Sequence, residues 1–447
     1  MGRVVRIDVR RGIAPLAALI VLGVTFAVLV TETEMWAGRW SALAGYLRIL
    51  MIVLVPLALA AGAWQGGRER RRRLGELLAT TSLPPWRRLT AAWAPVATGV
   101  VGGFLLAGGV VAVPVALVAT YSGGGWWWLV VVGVIALGAA VAAGLAIGTV
   151  LPWRLTAPVL GLAGYVVMGA VTYARDSRVW LSPALDDAAE ASVLPLGDHV
   201  AQAAWFAAIG ATALAVVASR RRWPALVPAA VAVVAGAVLV SGPADRWRDD
   251  AAAREPVCAG TEPRVCAGRE VAFVLDDFQA YAGRTLTVYA GIEGIPDTVG
   301  AVTAYRPALG DDAAVVSVRP YLTWRGTLAP TGEYEADLET DLRYGVLPNR
   351  WCYDGEDPRE ADAVWTAADV AVRWNGTDLV GEVANVMDDD GSIFWFGGVG
   401  ADPAVAALAE RLRALPDAAR YDWMERYLVA GEACDPAALD ALLDELR

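Results

Sequence analysis

The chain has 447 residues, 56% of them hydrophobic, and a net charge of −11 from 37 arginines and 48 acids, with a mean hydropathy of +0.45. A single soluble domain is excluded by that apolar content. The acidity disfavours nucleic acid as a partner. The charge is split along the chain: residues 1–241 carry 19 Arg against 10 acids (+9), and residues 242–447 carry 18 Arg against 38 acids (−20).

Taken in chain order, seven apolar stretches approach the roughly 20 residues needed to cross a hydrocarbon core of about 30 Å. They are Ile13–Val30, Ala44–Trp64, Ala92–Ala119, Trp126–Val150, Leu155–Tyr173, Val200–Ala218 and Ala225–Val240. The first follows a basic stretch but runs into Thr31-Glu32-Thr33-Glu34 without a small-residue cleavage pattern, so it reads as a retained span. Basic loops stay cytoplasmic. With the N-terminus inside, the inner loops hold 15 Arg and the outer loops three, namely Arg39, Arg175 and Arg178. Seven crossings then deliver residue 242 to the outside of the cell membrane.

Trp126-Trp127-Trp128 falls at the outer mouth of the fourth span, and Trp64, Trp86, Trp153 and Trp223 at inner ends, as interfacial anchors. Within the spans Arg48 is the one ionisable residue, close enough to the outer end to snorkel to the headgroups. The absence of a midplane carboxylate or histidine argues against ion-coupled transport. Gly144-xxx-Gly148, Gly102-Gly103 and Gly161-xx-Gly164 permit close helix approach, including dimerisation.

The loop over 65–90 is the most informative segment. A helix from Arg68 to about Thr80 puts Leu74, Leu77 and Leu78 on one face and places basic residues and Glu76 on the others. Pro84-Pro85 then stops it and returns the chain to the membrane. As a plain alternative, such a basic amphipathic loop is a positive-inside anchor against anionic headgroups.

The stretch Leu74-Gly75-Glu76-Leu77-Leu78-Ala79-Thr80, with the six-span hydropathy of residues 1–219, resembles the ABC-2-type transporter permeases. The seventh span and an exported Cys-containing domain depart from the usual six-span plan and look like permease-like proteins of high-GC bacteria. The resemblance implies a six-helix permease domain over 1–219 with a coupling loop at 65–90, a seventh helix over 220–241 and an extracytoplasmic domain over 242–447. It further implies export of an amphiphilic or hydrophobic substrate by a homo- or heterodimer of permeases. The contact with a separate ABC-type ATPase would involve Arg68, Glu69, Leu74, Glu76, Leu77 and Leu78. ATP and magnesium would bind that partner. This chain has no lysine, so it lacks the Walker A residue that meets the phosphates, and no enzymatic activity is expected of it.

All four cysteines, Cys258, Cys266, Cys352 and Cys434, lie after the last span, as expected for disulfides in an oxidising compartment. Of the three possible connectivities, Cys258–Cys266 with Cys352–Cys434 is favoured because the near pair is local. Zinc is disfavoured by the spacing and by the absence of histidine from the domain. Val274, Phe278, Tyr281, Thr285, Val288 and Ile292 recur at helical spacing, which predicts a helix over about 270–292. Strands are predicted at Thr298–Ala304, Ala313–Arg319 and Ile393–Phe396, and helices at Ala361–Trp374, Pro403–Leu415, Ala418–Leu428 and Pro436–Leu446.

The fold class is therefore mainly α: a polytopic transmembrane bundle followed by an α+β domain. Asp276-Asp277 and Asp388-Asp389-Asp390 read as solvated turns ahead of a glycosidase or calcium site. A non-transporting membrane receptor or assembly factor, whose external domain binds a cell-envelope partner, is the second functional reading.

Overall fold

The computed structural model describes residues 12–71, 84–185, 191–219, 223–303, 309, 313–329, 333–348, 358–375, 383–387, 393–397 and 402–447. The chain is mainly α and divides into two units, a block of apolar helices and a mixed α/β domain. This is a transmembrane bundle followed by an extracytoplasmic domain.

The first unit holds α1 (Ala14–Thr31), α2 (Trp40–Ile49), α3 (Met51–Gly66), α4 (Pro85–Val118), α5 (Trp127–Val150), α6 (Thr156–Thr172), α7 (Leu196–Ala218) and α8 (Leu226–Ser241). Among the described residues five apolar helical segments are long enough to cross a membrane, and α2 with α3 passes the same test only as a pair, bent by 48°, which is either a broken span or a re-entrant loop. The shorter α6 is apolar throughout its 17 residues, at the lower limit of a span. The stretch expected as one straight span from Ala44 to Trp64 is thus divided at Leu50. The third is longer than its hydropathy suggests, because Pro85 opens α4 as a first-turn proline and the helix continues for 34 residues.

Glycines set the packing of this unit. Gly62 and Gly66 of α3 face Gly144 and Gly148 of α5, and a Cβ on any of the four would collide with a backbone carbonyl of the opposite helix. Gly99 and Gly103 of α4 lie in the same way against the Ala14 and Ala18 carbonyls of α1. Removing the side chain lets the backbones touch, which substitutes for the hydrophobic driving force that lipid cannot supply. The Gly144-xxx-Gly148 pair is therefore consumed inside one chain and is not free to form a dimer contact.

The second unit comprises Ala251–Arg447 together with the short segments Ala37–Arg39 and Val118–Ser122. The pair β1 (Ser192–Val193) and β2 (Arg248–Asp249) belongs to the first unit, and the next four strands form a four-stranded sheet in sequence order in the second. β3 (Pro256–Ala259) and β4 (Arg264–Gly268) form a hairpin with Cys258 opposite Cys266, joined by a disulfide. β5 (Thr298–Val302) and β6 (Ala314–Ser317) continue the sheet in parallel. Parallel pairing of β4 and β5 requires a crossover, supplied by α9 (Leu275–Leu286). Short 3-10 turns at Ala272–Val274 and Thr287–Tyr289 flank α9, so the single helix expected over 270–292 is three pieces.

The rest of the unit is α10 (Glu333–Val346), α11 (Pro358–Val372), the antiparallel pair β7 (Val383–Met387) and β8 (Ile393–Gly397), α12 (Pro403–Ala414), α13 (Asp417–Glu432) and α14 (Pro436–Asp444). One core joins Val265, Phe278, Val299, Val316, Leu342, Ala371, Leu412, Met424 and Leu443, with Ala37 from the first inter-span loop. Cys434 is also disulfide-bonded. Its expected partner Cys352 lies outside the described residues.

Candidate functional site

The first unit offers three features with functional content: a buried polar knot, an apolar groove and a basic end. The knot centres on Arg48 at the bend between α2 and α3. Snorkelling does not occur, because Arg48 is fully buried. Its Nε donates to the Pro183 carbonyl at 2.6 Å, its Nη1 to the Leu129 carbonyl at 3.4 Å and its Nη2 to Gln202 Oε1 at 3.2 Å. Gln202, itself buried, donates onward to the Trp180 carbonyl at 3.0 Å. A guanidinium out of water needs its donors filled, and here three neutral acceptors from three parts of the chain do so.

The Pro183 acceptor is available because the segment linking α6 to α7 folds inward, beginning with the 3-10 turn Ser177–Leu181. Trp180 is buried and donates to the Ala244 carbonyl at 2.8 Å, while Trp205 donates to the Leu181 carbonyl at 3.3 Å. Thr172 and Ser182 share a hydrogen bond of 2.8 Å, and Ser177 donates to the Val240 carbonyl at 2.6 Å. Trp180, Leu185 and Leu194 pack with Ala44, Leu129 and Leu239. The segment is thus a plug held by α2, α5, α7 and α8. Beside it Asp198 pairs with Arg246, whose guanidinium lies 5.4 Å from the Trp180 ring centre, and His199 stacks on Trp128 at 5.9 Å.

The groove runs between α4, α5 and α7 and encloses about 660 Å³. Trp93, Leu105, Ile135, Gly138, Gly210 and Leu214 line it, and among the described residues no ionisable side chain does. The Trp93 indole donates to the Gly138 carbonyl at 3.0 Å, which satisfies its one polar atom and leaves an apolar wall. That volume and lining suit acyl or other hydrophobic chains.

At the basic end the first residues of the predicted coupling helix form the turn Arg68–Arg71. Glu69 pairs with Arg88 at the start of α4, drawing the two ends of the loop together. The remaining predicted contact residues Leu74, Glu76, Leu77 and Leu78 lie outside the described residues. Sequence reasoning missed Pro183, Trp180 and Gln202. Gln202 carried a signal, since His199, Gln202, Phe206 and Gly210 follow helical spacing and form the buried face of α7.

In the second unit Asp277 does not join Asp276 as a carboxylate pair for chemistry; its Oδ2 accepts from the Leu328 amide at 3.1 Å and anchors the loop before α10. Asp388–Asp390 lie outside the described residues. The chain matches no family model, no curated protein and no solved structure.

Proposed function

We propose that this polytopic membrane protein is the permease subunit of an ABC-2-type exporter, working as a dimer and moving an amphiphilic molecule outward at the expense of ATP hydrolysed by a separate ATPase. The observation that carries this reading is the apolar groove between α4, α5 and α7, a chain-sized space in whose walls the described residues carry no charge. Walls without a titratable group give a proton or sodium ion nothing to couple to, so the energy must enter elsewhere. The basic loop over 65–90, whose ends are tied by Glu69 and Arg88, is the segment through which a nucleotide-driven partner would act, with the N-terminus on the cytoplasmic side.

The test is purification from native membranes followed by export assays with fluorescent amphiphiles. An ATP-binding-cassette ATPase is expected to co-purify, and alanine at Leu74, Leu77 and Leu78 together is expected to release it and abolish export. If no ATPase is retained and the triple variant exports every amphiphile as well as the parent, the permease reading is wrong.

A further inference from the structure

At the basic end of the bundle three arginines have no acidic partner among the described residues. Arg71 follows α3, Arg87 begins α4, and Arg154 lies in the loop between α5 and α6. Two contacts place them on one patch. The Glu69–Arg88 pair joins the end of α3 to the start of α4. Gly66 packs against Leu145 and Thr149 of α5, a few residues before Arg154.

The Arg71 side chain does not extend away from the bundle. It turns back along the helix, donating to the Trp64 carbonyl and lying over the Trp64 ring with its Cζ 4.7 Å from the ring centre. Gly67 makes room for this, because a Cβ there would collide with Arg71 Nη1. The cation is thereby returned towards the level at which tryptophans meet headgroups. Arg87 lies in the same way over Trp86, at 5.0 Å. Partial burial, and secondarily the charge of Arg154, hold Arg71 below its ordinary basicity. Neighbouring cations repel one another unless an anion sits between them, and a phosphodiester offers arginine the planar pair of acceptors it binds best. Trp64, Trp86 and Trp153 are all exposed beside the patch, as suits contact with glycerol and the upper acyl carbons.

We propose that Arg71, Arg87 and Arg154 bind the phosphate of an anionic glycerophospholipid, whose glycerol end rests on the exposed tryptophan rings. The site is built from residues other than the expected ATPase contacts, and it stands whether or not the chain is a permease. Its specificity comes from charge and from the back-folded Arg71, so two kinds of substitution separate the contributions. R71Q/R154Q removes both charges. G67A keeps every charge and displaces the Arg71 side chain.

The experiment is native mass spectrometry of the full-length protein after reconstitution in phosphatidylcholine containing phosphatidylglycerol. The parent is expected to retain phosphatidylglycerol in preference to phosphatidylcholine. R71Q/R154Q is expected to retain on the order of tenfold less, with G67A in between, at unchanged thermal unfolding. Equal retention by parent and R71Q/R154Q overturns the proposal. So does displacement of the lipid by millimolar inorganic phosphate, which would mark a free-phosphate site. Loss of a co-purifying protein with lipid retention intact also overturns it, in favour of a protein partner.

Discussion

Arg48 shows how far a single residue's environment departs from its place in the chain. From sequence it is one charge near the end of an apolar run, and reach alone would carry it to the surface. What removes it from the surface is a loop more than 130 residues away, whose Pro183 carbonyl meets its Nε, and no local pattern announces such a pairing. Replacing it by leucine leaves Gln202 and two carbonyls without a donor in the bundle interior. R48L is expected to lose about 2–4 kcal/mol, as for a buried charge-assisted network, measured by denaturation in detergent; R48K, keeping charge but not the fork, falls between. A variant as stable as the parent would show that the knot contributes nothing. A second residue-scale case is Asp369, which accepts from the Tyr344 hydroxyl. Burial raises its pKa above the ordinary 3.8, against the opposing influences of Tyr344 and Arg373. The folded state therefore holds the proton more tightly than the unfolded state, and stability falls as pH rises from about 3.8 through the raised value. D369N keeps the acceptor and removes the charge. Its melting temperature is expected to exceed the parent's by roughly 2–4 °C at pH 7, with the gap closing near pH 4; a gap that persists in acid would exclude this cause.

Among the elements, the long apolar helices were legible because length and composition alone decide whether a segment suits a bilayer. Their interfaces were not. Gly144-xxx-Gly148 and Gly102-Gly103 look alike as text, yet Gly144 and Gly148 lie against the α3 backbone while Gly102 has nothing within 4 Å of an added Cβ. Position on the helix circumference relative to a particular neighbour decides between these, and a single chain does not encode that locally. G144A is accordingly expected to cost about 1–3 kcal/mol by overpacking, and G102A to be neutral or slightly stabilising through helix propensity, with both read from thermal unfolding in detergent. Equal effects would refute the interface. In the second unit the helices α11 to α14 and the strands β5, β6 and β8 were legible from the sequence. The pair β3 and β4 was visible only as two cysteines around a turn, and α10 was missed although Leu338, Leu342 and Val346 recur at helical spacing.

The whole molecule joins a basic half to an acidic half, and its orientation rests on arginine placement and on where cysteines can oxidise. A membrane-impermeant maleimide added to intact cells after reduction is expected to label the Cys258 and Cys266 thiols, with no gain on lysis. Labelling only after lysis would invert the topology. The function remained less legible than the architecture, because the loop carrying the family resemblance is short and the groove needs α7, which begins at Leu196, to pack beside α4 and α5, which end by Val150.

The three-part makeup of the second unit bears on how the protein can be made. Ala37 sits in its core, Thr120 Oγ1 donates to the Arg269 carbonyl at 2.6 Å, and Gly38 and Gly326 are tightly fitted against Phe273 and Val118. Two of its pieces are thus synthesised long before the main body emerges from the ribosome. The domain can complete itself only after the early hairpins have been inserted and have waited for residues 251–447. Expressed by itself, the stretch from Ala251 onward would leave Phe273 uncovered, so binding studies on the severed domain would sample a different surface from that of the native chain.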